Sequence, residues 1–198
     1  MNKSMKLVFA TNNSHKLYEV RKLISDELDL VGLKDINCIE EIPEEQETIE
    51  GNASQKAFYI FNKYGLNCFA DDTGLEIDGV DGRPGVYSAR YAGEDCSFQD
   101  NIHKVLREME GMENRNAKFR TVISLVINGQ ETQFEGIVHG AILNKGRGES
   151  GFGYDPIFQP DGFGESFAEM SIEQKNQISH RGKATRKLCD YLGKLVAG

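Results

Sequence analysis

MKLVFATNNSHKLYEV, residues 5–20, sets the frame. Its first six residues are an apolar run of strand length, and the next six, TNNSHK, are polar. Apolar residues then return three or four apart at Leu17, Val20, Ile24 and Leu28. A short continuous apolar run suits a buried strand, and a period near 3.6 suits a helix with one apolar face. Strand, polar loop and helix in that order open an α/β fold.

The alternation continues along the chain. A helix is predicted from about Asn52 to Tyr64, with Ala53, Ala57, Ile60, Phe61 and Tyr64 on its apolar side and Gly65 at the C-cap. Residues 66–70 read as a strand that runs into Asp71-Asp72. Ser97 with Asp100 marks a helix start, followed by a core stripe of Phe98, Ile102, Val105, Leu106 and Met109. Ala117 to Ile127 is β-rich, and Asn128-Gly129 is a hairpin signal leading into QETQFEGIVHGAI. NKGRGESGFGYDPIFQPDGFG reads as glycine-containing loop around a short YDPIF strand. A last helix is expected from about Ser179 to Val196, with Ala184, Leu188, Tyr191, Leu192 and Leu195 inward. Early strand–helix alternation and a late antiparallel pair predict a mixed sheet with helices against it. At 198 residues, one folding unit with two lobes is expected over 1–198.

Apolar residues at 39% and charged residues at 27% fit a globular chain rather than a disordered one. No apolar run is long enough to cross a bilayer and MNKSMKLVFA lacks a secretory h-region, so a cytoplasmic location is expected. Cys38, Cys68, Cys96 and Cys189 show no CxxC or metal spacing and read as free thiols. A net charge of -8 argues against non-specific nucleic-acid binding. It leaves room for a small phosphorylated ligand, because a local basic cluster or a divalent cation reverses the field within one site.

Five polar clusters carry chemistry. TNNSHK stands where the free N–H groups and positive end of a helix suit a phosphate, with Lys16 adding charge. Equally, Asn12, Asn13 or Ser14 serves only as an N-cap and Lys16 is solvated. GxxxxGK[ST] is absent, so this is no Walker loop. If strand geometry persists through Asp71-Asp72, the two side chains face opposite ways, one toward a metal or reacting group and its neighbour structural. A tight acidic turn competes evenly with a Mg²⁺ site there. IPEEQETIEGNASQKA, residues 42–57, adds Glu44 and Glu45, either an ordinary solvated loop or further ligands, and then Lys56 on a helix. GFGYDPIF presents an aromatic ring, backbone donors and one acid to a planar ligand. His180 and Arg181 stand in a first helical turn, where cations lose energy to the helix dipole and call for an anionic or polar partner or a carboxylate elsewhere in the fold.

TNNSHK, EE…GNASQKA, FADDTGLEIDGVDGRPGVYSARYAGED, GFGYDPIF and ISHRG, in this order over essentially the whole chain, resemble the HAM1-like family of inosine and xanthosine triphosphate pyrophosphatases. The resemblance implies an α/β fold in which a long central mixed sheet with flanking helices forms two lobes around a substrate cleft. It implies a Mg²⁺-dependent homodimer, acting on no nucleic acid or membrane, that hydrolyses ITP, dITP and XTP to the monophosphate and pyrophosphate. By the same resemblance Thr11, Asn12, Asn13, Ser14, His15 and Lys16 bind the triphosphate, and Lys56 contacts phosphate. Glu44 matches the metal-binding glutamate, with Glu45 as its neighbour, and Asp72 matches the proton acceptor and second metal-site residue. Asp71 is its acidic partner, and Thr73 takes a position often occupied by serine. Phe152, Gly153, Tyr154 and Asp155 fall in the nucleoside-recognition motif, and Lys175, His180 and Arg181 complete the base pocket. QETIEG departs from the family's commoner run beside Glu44. Two other readings are a Maf-like pyrophosphatase of other modified or ordinary nucleotides and a noncatalytic nucleotide-binding protein. His180, Arg181 and backbone N–H groups near Phe152 are the expected donors to the 6-carbonyl of hypoxanthine.

Overall fold

The computed structural model describes residues 5–24 and 28–197. In chain order the elements are β1 (Met5–Phe9), α1 (Ser14–Arg21), β2 (Leu28–Gly32), α2 (Ile49–Tyr64), β3 (Cys68–Ile77), β4 (Pro84–Gly85), α3 (Phe98–Glu108), β5 (Asn116–Ile127), β6 (Gln130–Ile142), β7 (Phe158–Pro160), α4 (Ile172–Ile178) and α5 (His180–Ala197). The strands form one sheet in the order β2-β1-β3-β5-β6-β7, with β4 on β3. β2 and β3 run parallel to β1, whereas β4 on β3 and β7 on β6 are antiparallel, so the sheet is mixed as predicted. No helix among the described residues is long and apolar enough to cross a membrane. All four cysteines are free thiols.

The chain divides into two compact units. The first comprises the residues up to Asp72, Thr121–Gly136 and the residues from Arg181 onward; the second comprises Thr73–Arg120 and Ile137–His180. The first unit has two cores, separated by the period-2 alternation of its strands. Val8, Ala10, Cys68, Ala70 and Val126 pack with Ala57 and Ile60 of α2. The intervening Leu7, Phe9, Phe69, Ile123 and Leu125 pack with Val20 of α1 and Ala184, Leu188 and Leu192 of α5. Phe9 and Phe69 stack at 4.5 Å. The second unit has a single core, in which Leu75, Ile77, Ile102, Val105, Phe119 and Phe158 are prominent.

Local signals explain most boundaries. Thr48 Oγ1 accepts the Gly51 N–H and starts α2 a few residues before the predicted Asn52, and Gly65 ends it in left-handed geometry at φ 65°. Ser97 and Asp100 form the expected capping box. Asn128 and Gly129 both have positive φ, the geometry that joins two strands through a two-residue turn.

Two boundaries differ from expectation. α1 closes at Arg21, and Leu28 opens β2 opposite Met5. Leu17, Ile24 and Leu28 border one core, so their spacing marks a shared burial face rather than one helix. YDPIF is not a strand: Asp155–Ile157 form a 3-10 turn and β7 begins only at Phe158. Pro156 has the fixed φ that suits a turn start and lacks the N–H a ladder needs. The last helix, α5 (His180–Ala197), matches the expected span from about Ser179 to Val196. The preceding helix α4 had no counterpart among the expected elements: Ser171 starts it with a Ser171–Gln174 capping box, and Ser179 at ψ 157° is extended backbone between it and α5.

Candidate active site

The alternation that sorts the first unit's two cores also separates the paired aspartates. β3 runs unbroken through Asp71 and Asp72. Asp72 continues the row of Cys68 and Ala70 toward α2, and Asp71 continues that of Phe69 toward α1 and α5. Their partners differ accordingly.

Asp71 is 1% exposed. Lys16 Nζ donates to its Oδ1 at 3.1 Å and Arg181 Nε to its Oδ2 at 3.1 Å. Arg181 Nη1 also donates to Glu19, forming a buried cation between two carboxylates. Burial alone would raise the pKa of Asp71, but Lys16, Arg181 and Lys56 outweigh it and hold the group well below the usual carboxylate range. Burial works against the charge on Arg181, yet Glu19 and Asp71 raise its pKa further. Of the two partners expected for a cation at this helix start, the structure supplies the carboxylates. Lys16 is not solvated as in the plain N-cap alternative; burial, with Lys56 and Arg181 beside it, lowers its pKa against the pull of Asp71.

Asp72 meets a different set. Asn52 Nδ2 donates to its Oδ2 at 3.3 Å, and Lys56 Nζ lies 3.5 Å from its Oδ1. Asn52 and Lys56 are four apart on α2, hence on one face. Lys56 also bonds Glu44 Oε1. Burial, joined by Glu44 and Asp71, raises the pKa of Asp72 despite Lys56 and Lys16. For Glu44, Lys56 more than offsets burial and lowers the pKa. The pair therefore contains one fixed anion, Asp71, and one more basic carboxylate, Asp72.

Glu44 and Asp72 converge on one ammonium, a cation already seated between two carboxylates. Oxygen donors of this kind suit Mg²⁺, which commonly takes one or two carboxylates and completes its shell with phosphate and water. Among the described residues no three His, Cys, Asp or Glu side chains gather as a ready-made cage. Glu45 is exposed, and its backbone N–H is held by Gln55 Oε1 at 3.0 Å. Of the two glutamates, the side chain that turns to Lys56 is that of Glu44.

In the TNNSHK loop, Asn13 Oδ1 accepts the N–H groups of His15 and Lys16, so its side chain is the cap of α1. Thr11 Oγ1 accepts the Asn13 N–H. Asn12, Ser14 and His15 are exposed.

The second unit carries the other motif. Asp155 Oδ2 accepts the Phe152 N–H at 2.8 Å and the Lys175 ammonium at 2.7 Å, and both charged side chains are 4% exposed. Tyr154 is buried, its hydroxyl donating to Ser88 O at 2.8 Å. His180 stacks on Phe119 at 4.6 Å. Phe152 is half-buried, with the Lys175 ammonium 5.0 Å from its centroid. Asp155, Lys175 and Tyr154 thus brace the loop that presents Phe152 and Gly153. Thr73, the first residue of this unit, is half-buried.

Gly151 shows how closely that brace fits. At φ 78° it occupies left-handed space, and a Cβ there would lie 2.2 Å from Asp155 Oδ2. Gly153 has φ 61° but nothing within 4 Å of its Cβ. Gly151→Ala is expected to cost about 1–3 kcal/mol in denaturant unfolding from strain and crowding together. Gly153→Ala should cost less; equal losses would mean that the contact with Asp155 carries no weight.

Sequence reasoning did not single out Glu19 or give Asn52 a role. The available signals were spacing alone: Glu19 lies three residues after Lys16, and Asn52 four before Lys56, each pair on one helical face.

The chain's likeness to known proteins agrees with these motifs. The family model described as the Ham1 family matches residues 7–191. A dITP/XTP pyrophosphatase of Flavobacterium johnsoniae is 52% identical over 188 residues, covering 95% of this chain and 98% of that protein. A HAM1 protein structure from Coxiella burnetii superposes with a TM-score of 0.89 at 36% identity, covering 96% of this chain and 99% of the other. The Staphylococcus aureus Ham1 protein gives a TM-score of 0.87 at 37% identity over 96% and 98% of the two chains.

Proposed function

Because the chain belongs to the Ham1 family, we propose that it is a nucleoside triphosphate pyrophosphatase acting on dITP, ITP and XTP and releasing the nucleoside monophosphate and pyrophosphate. The observation that carries the chemistry is the division of labour at Asp71-Asp72: one carboxylate neutralised by Lys16 and Arg181, the other held by Asn52 and Lys56 with a raised pKa. A carboxylate of raised pKa is a better proton acceptor near neutral pH.

In the proposed reaction the oxygen of a water molecule bonds to the α-phosphorus and the bond to the β-bridging oxygen breaks. Asp72 takes the water proton and pyrophosphate departs. Lys16 and Lys56 carry positive charge toward the phosphates and stabilise the developing negative charge. Glu44 and Asp72 would hold Mg²⁺, which when bound neutralises phosphate charge as a Lewis acid. In the second unit Phe152 is assigned to stacking on the purine, while Asp155 and Lys175 fix its loop. The substrate is a free nucleotide, and the active form is a homodimer in the cytoplasm.

Products decide the reaction. Incubating the protein with dITP, XTP or ATP, with Mg²⁺ and with chelator, should give dIMP and pyrophosphate from dITP, far less turnover of ATP, and none without metal. dIDP with orthophosphate would exclude attack at the α-phosphorus. Preferred turnover of ordinary or other modified nucleotides would favour a Maf-like activity, and tight dITP binding without products would leave only a binding protein.

A further inference from the structure

Asn52 is 1% exposed and uses both ends of its amide. Nδ2 donates to Asp72 Oδ2 at 3.3 Å, and Oδ1 accepts the backbone N–H of Gln46 at 2.9 Å. One turn further along α2, Lys56 approaches the other Asp72 oxygen and also bonds Glu44. Between them in sequence, Gln55 accepts the Glu45 N–H at 3.0 Å. A single helix face therefore holds residues 44, 45 and 46 in succession and both oxygens of Asp72.

The two grips on Asp72 are not equivalent. The terminal torsion of an aspartate is broad, so its carboxylate plane is set by its partners. Lys56 is a point charge on a flexible stem, and its ammonium is shared with Glu44. Asn52 has a shorter side chain, locked at its far oxygen by a main-chain donor, and is uncharged. A cation entering beside Glu44 and Asp72 competes with Lys56 but not with the amide.

Resting on the pyrophosphatase activity proposed above, we infer that Asn52 is the positioning residue of this site: it sets the carboxylate plane of Asp72 and ties that orientation to the segment carrying Glu44. Asn52 touches no reacting atom in this role. It pins Oδ2, so that Oδ1, whose other neighbour is the Lys56 ammonium at 3.5 Å, is the oxygen that takes the water proton, while the Gln46 bond keeps Glu44 in register with Asp72. The amide thus links the proton acceptor and the proposed metal ligand through a group that never changes charge.

Two substitutions separate the two ends of the amide. Asn52→Leu keeps the volume and removes both hydrogen bonds. Asn52→Asp keeps an acceptor for the Gln46 N–H but removes the donor to Asp72 and adds charge beside it. Hydrogen exchange at the Gln46 amide and steady-state hydrolysis of dITP are measured on both variants, with exchange across the rest of α2 as the folding control. In Asn52→Leu, Gln46 exchange should quicken roughly tenfold, the size of one lost hydrogen bond. Its kcat should fall about 10–100-fold with KM little changed, as for other groups that orient a site. In Asn52→Asp, Gln46 should stay protected while kcat falls comparably. An undiminished kcat in Asn52→Asp, or a kcat loss matched by faster exchange throughout α2, overturns the positioning role. Wild-type protein that releases no pyrophosphate overturns the proposed reaction itself, and this role with it.

Discussion

Asp72→Asn should lower kcat for dITP by about 10²–10⁴-fold, the range supplied by a positioned general base, while leaving the fold intact. The substitution is nearly isosteric; it removes the proton-accepting ability and the charge, and it replaces the oxygen that accepts from Asn52 with an amide nitrogen. Asp72 is bordered by Lys56 and Asn52, and an asparagine presents an oxygen to the ammonium as before. Asp71 and its partners lie on the other face of β3 and are untouched. The loss should therefore appear in kcat more than in nucleotide binding, measured by calorimetry under non-turnover conditions. Wild-type turnover in the variant would take Asp72 out of the reaction. An equal loss in Asp71→Asn, with Asp72 intact and the protein folded, would place the catalytic carboxylate on the wrong face.

Arg181→Met should instead be a stability defect. Arg181 is 2% exposed, and its guanidinium bridges Glu19 and Asp71, themselves 4% and 1% exposed. Methionine fills part of the volume but leaves two buried carboxylates facing each other with Lys16 as the nearby cation. Breaking a buried pair by removing one partner costs about 3–5 kcal/mol, which for a chain of this size lowers Tm by roughly 6–20 °C. Adding Glu19→Gln to Arg181→Met should recover part of that loss by removing one stranded charge. An unchanged Tm in the single variant would mean that the bridge contributes nothing. The same geometry bears on base reading: Nε and Nη1 of Arg181 are engaged by carboxylates within the first unit, so a contribution to purine discrimination requires a donor beyond these two.

Periodicity made much of the architecture legible in the sequence. The opening strand and helix, the capping box at Ser97 and the Asn128-Gly129 turn all rest on local rules, and all occur. The misplaced boundaries have a common cause: local pattern reports burial, and burial is shared between elements. Leu28 is spaced as though on α1 because it joins the same core from β2. YDPIF is apolar and aromatic like a strand, but Asp155 closes a turn onto Phe152, a bond that composition does not encode. At the site, the opposed directions of Asp71 and Asp72 followed from strand geometry alone. Which carboxylate would meet Arg181 depended on residues 19, 71 and 181, whose meeting is a property of the whole first unit.

The alternation in β3 also constrains how this chain can change over generations. Substitutions alter one side chain, whereas the gain or loss of a single codon within 68–70 that left the downstream chain to shift by one position would turn every later residue of the strand over. Asp71 would then confront Asn52 and Lys56, and Asp72 would confront Arg181 and Lys16, so both acids would survive in the gene while exchanging environments. Insertions and deletions should therefore be purged from this segment more strictly than from the hairpin at Asn128-Gly129, and an in-frame indel scan of residues 66–74 compared with residues 126–131 would show that contrast as a gap in tolerated length changes.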